Sequence, residues 1–199
     1  MPITIAGSGT ITGISAGGLP DGVITTDDIA ASAITRAKMG YAGAILQVVS
    51  TTKTDTFSTA SASMTDVTGL SVSITPVSTS SKILILLSLN LVGTNGVTNA
   101  AYQLMRGSTA ICIGDAASSR PQVSGMVVYT PDSNGYATIS GNFLDSPSTT
   151  SATTYKVQIV SGSGASGTAY VNRTQNDTNA ANFYNSRGAS TITVMEVAA

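Results

Sequence analysis

With no histidine in 199 residues, the chain lacks the commonest general base and metal ligand, so acid–base chemistry would fall to its carboxylates. Asp27 and Asp28 are adjacent, while Asp115, Asp132, Asp145 and Asp177 are scattered through polar stretches. Two carboxylates facing each other across a glycosidic bond can hydrolyse it, but no spacing here draws such a pair together. Serine is abundant, yet a serine nucleophile needs Gly-x-Ser-x-Gly on a strand-to-helix turn and a histidine partner. Gly7-Ser8-Gly9 and Gly162-Ser163-Gly164 offer neither and read as loops. The stretch from Gly162 to Gly167 also lacks the lysine and the following helix of a phosphate-binding loop. Cys112 is the only cysteine, which excludes an intrachain disulfide and a multi-thiolate metal site. Alternating with Ile111 and Ile113, it is expected on a strand as a small buried hydrophobe. The residues thus assign no catalytic, cofactor-binding or metal-ligating position.

Binding chemistry is concentrated in one place. The segment from Asn172 to Gly188 has no strand pattern, is rich in Asn, and holds Arg173, Phe183, Tyr184 and Arg187. Loops longer than about twelve residues without secondary structure are often functional. Aromatic faces cover the apolar side of a sugar ring, while amides and guanidinium groups bond its hydroxyls. These four residues are the candidate receptor loop. The alternative is that Phe183 and Tyr184 pin the loop to the core or to a neighbouring chain.

The elements that must position such a loop follow from composition. Lys and Arg number 9 and Asp and Glu 10, so charged residues make up only 10% of the chain, and Glu196 is the only Glu. Ser and Thr together exceed a quarter of the sequence, with 20 Gly. Few helix formers with charged heads and many small polar residues describe short strands joined by tight turns. Nine dispersed basic residues make no clustered patch for nucleic acid. The longest apolar tract, Ile83 to Leu87, is far below the roughly 18 residues of a membrane span. Met1-Pro2-Ile3-Thr4 lacks the basic region and apolar core of a secretion signal, which points to synthesis in a cytoplasm.

From Ala44 onward period-two alternation dominates. Ile45 to Val49 reads as a buried strand, Asp55 to Thr59 as a partly exposed one, and Val67 to Thr75 as a strand stopped by Pro76. Lys82 to Leu91 is the strongest; apolar on both faces in its first half, it is expected at the centre of a sheet, covered on both sides. Gly107-Ser108 fits a type II′ hairpin between Ala101–Arg106 and Thr109–Ile113. Further strands are expected at Gly125–Tyr129, Tyr136–Leu144, Thr154–Val160, Thr168–Val171 and Ser190–Val197, the last beside the opening strand. Nine to eleven strands in this length is the density of a jelly-roll-like antiparallel β-sandwich. The expected fold is all-β, with residues 41–199 as a sandwich knob.

Residues 1–40 read differently. Ile3, Ile5 and Ile11 alternate with Thr and Gly, leaving too little side-chain volume for a core, so this stretch needs a partner to become ordered. Thr25 to Met39 spaces Ile29, Ala33 or Ile34, and Ala37 at about helical intervals, with Arg36 and Lys38 near the end that favours cations. It suits either a linker helix lying on its own domain or a small self-associating bundle. Ile3, Ile5, Ile11, Ile29, Ile34 and Met39 are the candidate attachment and trimerisation residues.

Ile24-Thr25-Thr26-Asp27-Asp28-Ile29-Ala30, with Ala33-Ile34-Thr35 and Ala37-Lys38-Met39, resembles segments of bacteriophage fibre proteins. Gln47-Val48-Val49, Thr54 to Ser58, Thr65 to Leu70, Ile74-Thr75-Pro76 and Ser80 to Ile85 resemble the distal β-domain of such fibres. The resemblance spans about residues 22 to 90. It implies a non-enzymatic virion structural protein, assembled in the bacterial cytoplasm, without cofactor. It further implies a homotrimeric tail fibre or adhesin that docks through its N-terminus on tail, baseplate or capsid proteins and presents a knob to a host surface glycan. A capsid decoration or head-fibre protein is the alternative, and a polysaccharide-cleaving spike the second. The histidine- or acid-based metal sites along some fibre axes have no counterpart in the sequence.

Overall fold

The computed structural model describes residues 29–30, 33–34, 41–93, 99–127, 135–162 and 167–199. The chain divides after Met39, and the second unit, Gly40–Ala199, is the β-domain. Ile3, Ile5, Ile11 and Met39 lie outside the described residues, as does most of the expected helix; Ile29 and Ile34 are exposed.

Among the described residues the strands are β1 (Ile45–Lys53), β2 (Phe57–Thr59), β3 (Thr65–Ile74), β4 (Lys82–Gly93), β5 (Ala100–Arg106) and β6 (Thr109–Ile111). They continue as β7 (Gly125–Val127), β8 (Ala137–Asp145), β9 (Thr153–Ser161), β10 (Ala169–Val171) and β11 (Ser190–Val197). In the first sheet β1 pairs with β11, β11 with β4, and β4 with β8; β2 and β10 extend the β1 and β11 positions. The second sheet runs β3-β9-β5, with β6 and β7 sharing the far edge of β5. All these pairs are antiparallel, and four of them are nested: β5–β6 is the tip, then β4–β8, β3–β9 and finally β1–β11. A long hairpin rolled so that its successive pairs alternate between two sheets is a jelly roll. The closing strand does lie beside the opening one. The tip turn has Gly107 at φ +58 and Ser108 outside the left-handed region, as a type II′ turn requires.

Alternation fills the space between the sheets. β4 sends Ile83, Ile85, Leu87, Leu89 and Leu91 inward against Tyr155, Val157 and Ile159 of β9 and Leu70, Val72 and Ile74 of β3, all buried. Each such side chain contributes about 1.5–3 kcal/mol of hydrophobic burial. In β3 the phase slips between Asp66 and Ser71, and Gly69 takes φ +81 at the slip. This bulge lets Val67 and Leu70, an odd and an even position, both face the core.

Three expectations change. Ile45 to Val49 is not a buried strand: β1 is an edge strand, and of these five residues only Leu46 is buried. β4 is central but covered on one side only; Leu84 is half-buried and Leu86 is 39% exposed on the outer face. Cys112 is exposed rather than buried, because β6 ends at Ile111 and Cys112 turns away at φ +52.

A buried polar junction ties the two sheets at one end. Asp145, at the end of β8, accepts hydrogen bonds from Arg106 Nη1 of β5 at 2.8 and 3.0 Å and from the Tyr155 hydroxyl of β9 at 2.7 Å. Glu196, fully buried in β11, accepts from the Val77 backbone N–H at 2.7 Å and from the Gln47 amide. Burial pushes the Tyr155 phenol well above the ordinary tyrosine value, and its hydrogen bond to Asp145 pushes it further. An unfolded tyrosine ionises near pH 10, so above that pH unfolding releases a proton that the folded domain retains. The resulting stabilisation is complete below about pH 10 and falls above it by up to about 1.4 kcal/mol per pH unit. Urea unfolding between about pH 8 and pH 11 should show this slope, and its contribution should vanish in Tyr155→Phe. That variant should also lose about 1.5–3 kcal/mol at neutral pH, since it removes a hydrogen bond to a charged acceptor. Parallel curves for the two proteins would contradict the assignment.

Candidate functional site

The loop between β10 and β11 leaves and returns at a single polar neck. β10 ends at Val171, and Asn172 follows in the left-handed region at φ +61, a conformation Asn tolerates better than most residues. Its buried Nδ2 donates to the carbonyls of Lys53 at 2.8 Å and Asp55 at 3.0 Å. Its Oδ1 accepts from Ser190 Oγ at 2.6 Å and Asn90 Nδ2 at 3.4 Å. The Asn172 backbone N–H donates to the Asn90 carbonyl at 3.2 Å, and its carbonyl accepts from Gly188 N at 3.2 Å. Asn90 is itself held, donating to the Ala189 carbonyl at 2.8 Å and accepting from Thr138 at 2.7 Å. A Cβ at Gly188 would come within 2.5 Å of Asn90 Nδ2, so the close return needs glycine.

Beyond the neck the loop folds on its charges. The Arg173 guanidinium lies 4.4 Å from the centroid of the Tyr170 ring and donates to the carbonyls of Thr174 and Gln175 at 3.1 and 3.0 Å. Arg187 grips Asp177 with two donors, at 3.1 and 2.7 Å, and Arg173 approaches the same carboxylate at 3.6 Å. The structure therefore brings Arg173 and Arg187 together at Asp177, with the Arg173 side chain largely enclosed and that of Arg187 58% exposed.

Phe183 and Tyr184 stand apart from that cluster, on a one-turn 3-10 helix, Phe183–Asn185. Asn185 Nδ2 donates to Asn182 Oδ1 at 2.5 Å across the turn. Phe183 is 97% exposed and Tyr184 57%, so in a single chain neither pins the loop to the core. Beside them is a shallow depression of about 280 Å³ lined by Ala180, Ala181, Asn182, Phe183, Asn185 and Ser186. An aromatic face next to side-chain amides and a hydroxyl offers one apolar wall and several hydrogen-bonding groups to a neutral polar ligand.

The remaining sequence candidates are spread out. Asp27, Asp28, Asp132, Ser8 and Ser163 lie outside the described residues, and Asp115 is exposed. Asp145 and Asp177 are each committed to arginine. Among the described residues no group of three or more His, Cys, Asp or Glu side chains gathers as metal ligands. Sequence reasoning missed a second concavity of about 560 Å³ beside the second sheet, lined in part by Met64, Ala101, Gln103, Gln122, Met126 and Val160. Its available signal was the apolar side chains at outward positions of β5, β7 and β9. No protein-family model and no curated protein matches the chain.

The neck and the aromatic turn should separate in their effects on stability. Asn172→Ala removes four side-chain hydrogen bonds, leaves buried partners unsatisfied and places Ala at positive φ, costing about 2–4 kcal/mol by denaturant unfolding. Phe183→Ala, at a site facing solvent, should stay within about 0.5 kcal/mol of the parent. A Phe183→Ala loss as large as that of Asn172→Ala would show that the ring holds the loop in place.

Proposed function

We propose that the chain is a non-enzymatic virion structural protein: a homotrimeric phage tail fibre or adhesin whose residues 1–40 dock on other virion proteins and whose knob, residues 41–199, contacts a host surface glycan. The observation that carries this reading is the near-complete exposure of Phe183 on an Asn-rich turn held at a closed neck. Exposed aromatic side chains give large contact area at low entropic cost, which suits recognition rather than stability. The arginines support the reading by rigidifying the loop at Asp177, which leaves the aromatics, the amides and the exposed side of Arg187 to meet the ligand. A neutral sugar matches those groups. The resemblance of residues 22 to 90 to phage fibres supplies the setting, and the jelly-roll fold agrees with a distal knob.

The two parts of the chain should have separable roles. Deleting residues 1–40 should leave a soluble β-rich domain, because the sandwich core is formed within the second unit. That domain should fail to enter particles and should compete with intact phage for host cells. A capsid decoration protein would show no competition. Incorporation of the truncated chain at parental levels would reverse the proposed polarity, with the knob as the docking end.

A further inference from the structure

The outer face of the first sheet carries an uncovered apolar row. Val48 of β1 is opposite Met195 of β11, Met195 opposite Leu84 of β4, and Leu84 opposite Leu144 of β8, so one row crosses four strands. Val48 is 55% and Leu144 53% exposed, and Leu86 and Ile45 are exposed alongside. Away from the chain entry the next rows on this face are uncharged: Ser50, Thr193, Leu86 and Asn142, then Thr52, Thr191, Ser88 and Ser140. Toward the entry, the row of Ile45 and Val197 ends at Lys82 of β4, whose ammonium donates to Ser146 Oγ at 2.8 Å. The second sheet is treated differently, with Lys156 paired to Asp66 at 2.7 Å and Gln158 donating to the same carboxylate at 2.8 Å on its outer side. Proteins usually place charge on exposed sheet faces and keep large apolar patches off them.

We propose that this face is the knob's interface with further copies of the same chain, an inference that rests on the homotrimer reading above and names the surface through which it forms. Two observations select a second copy as occupant. The row lies at the end of the sheet where the chain enters β1: Ile45 is opposite Val197, and Ala44 and Ala198 are hydrogen-bonded. Forty-four residues precede β1, so copies joined through them would have this end of each sheet nearest its neighbour. The apolar row and the two rows beyond it also carry no charge, with Lys82 held to Ser146 at the entry edge, so copies meet on those rows without repulsion.

The test uses the full chain. Sedimentation should show an oligomer at micromolar concentration, and Val48→Asp with Leu144→Asp should weaken association by at least about tenfold while near-ultraviolet circular dichroism stays native. Val160→Asp, on the opposite sheet, should leave association unchanged. Peroxide oxidation of the unmodified protein gives a readout free of folding defects: Met195 should be protected in the oligomer and react faster on dilution, while Met126 reacts at one rate throughout. An oligomer indifferent to the paired substitution, with Met195 freely oxidised, would overturn the interface and leave the oligomer standing. A monomer with reactive Met195 would overturn both. A monomer with protected Met195 would mean that the chain's own first forty residues cover the face, again overturning the inference.

Discussion

Four segments of the chain meet at the Asn172 carboxamide: the end of β1, the middle of β4, the end of β10 and the start of β11. A buried amide can be accommodated only when its donors and acceptors are met, because each one left unsatisfied costs about 1–3 kcal/mol. Here both side-chain hydrogens and the oxygen find partners, and the backbone groups are used as well. The chain therefore departs from the first sheet at Asn172 and re-enters it at Ser190 in fixed register, whatever lies between. This closure allows a long loop to hold its aromatics in solvent without loosening β11, which runs through the middle of the sheet.

The scarcity of charge gives the few buried polar groups their weight. Arg106, Asp145 and Tyr155 join β5, β8 and β9, while Glu196 and Gln47 join β11 and β1 to the β3–β4 connection. Such junctions add little net stability against an apolar alternative. They do fix position, since a sandwich of alternating Ile, Val and Leu would slide with small loss if packing were its only guide. The other ion pairs are at the end of β1, on the second sheet and in the loop, while the row from Val48 to Leu144 on the first sheet is apolar.

Period-two alternation made most strands legible, and the strong closing run from Ser190 to Val197 made its pairing with β1 legible too. The depth of each strand was harder to read. Ile45 to Val49 looked buried because apolar side chains on both faces of an edge strand resemble those of a central one. Leu84 and Leu86 misled in the same way, since an apolar outward face is written identically whether its cover is a second layer or another molecule. The shift at Gly69 was hidden because Val67, Leu70 and Val72 still read as a strand. Cys112 went astray by one position, where the strand ended sooner than its apolar neighbours suggested. Of the candidate loop, the sequence located the segment but left open whether Phe183 and Tyr184 face solvent or pin it to the core, and the pairing of Arg173 and Arg187 with Asp177 was hidden because it depends on a fold that only the neck defines. Asn172 itself gave no signal: an Asn in an Asn-rich loop reads as solvent chemistry until its partners, 18 to 119 residues away in sequence, are in place.

On the proposed reading, the aromatic turn beyond this neck is the surface that meets the ligand. The most direct measurement is a heteronuclear NMR titration of residues 41–199 with polysaccharide purified from the host surface. Shift changes centred on residues 180–186, including the Phe183 and Tyr184 rings, are the expected result, with the neck and the sheets unmoved. Changes centred on Met64, Met126 and Val160 beside the second sheet, or no binding at all, would contradict it.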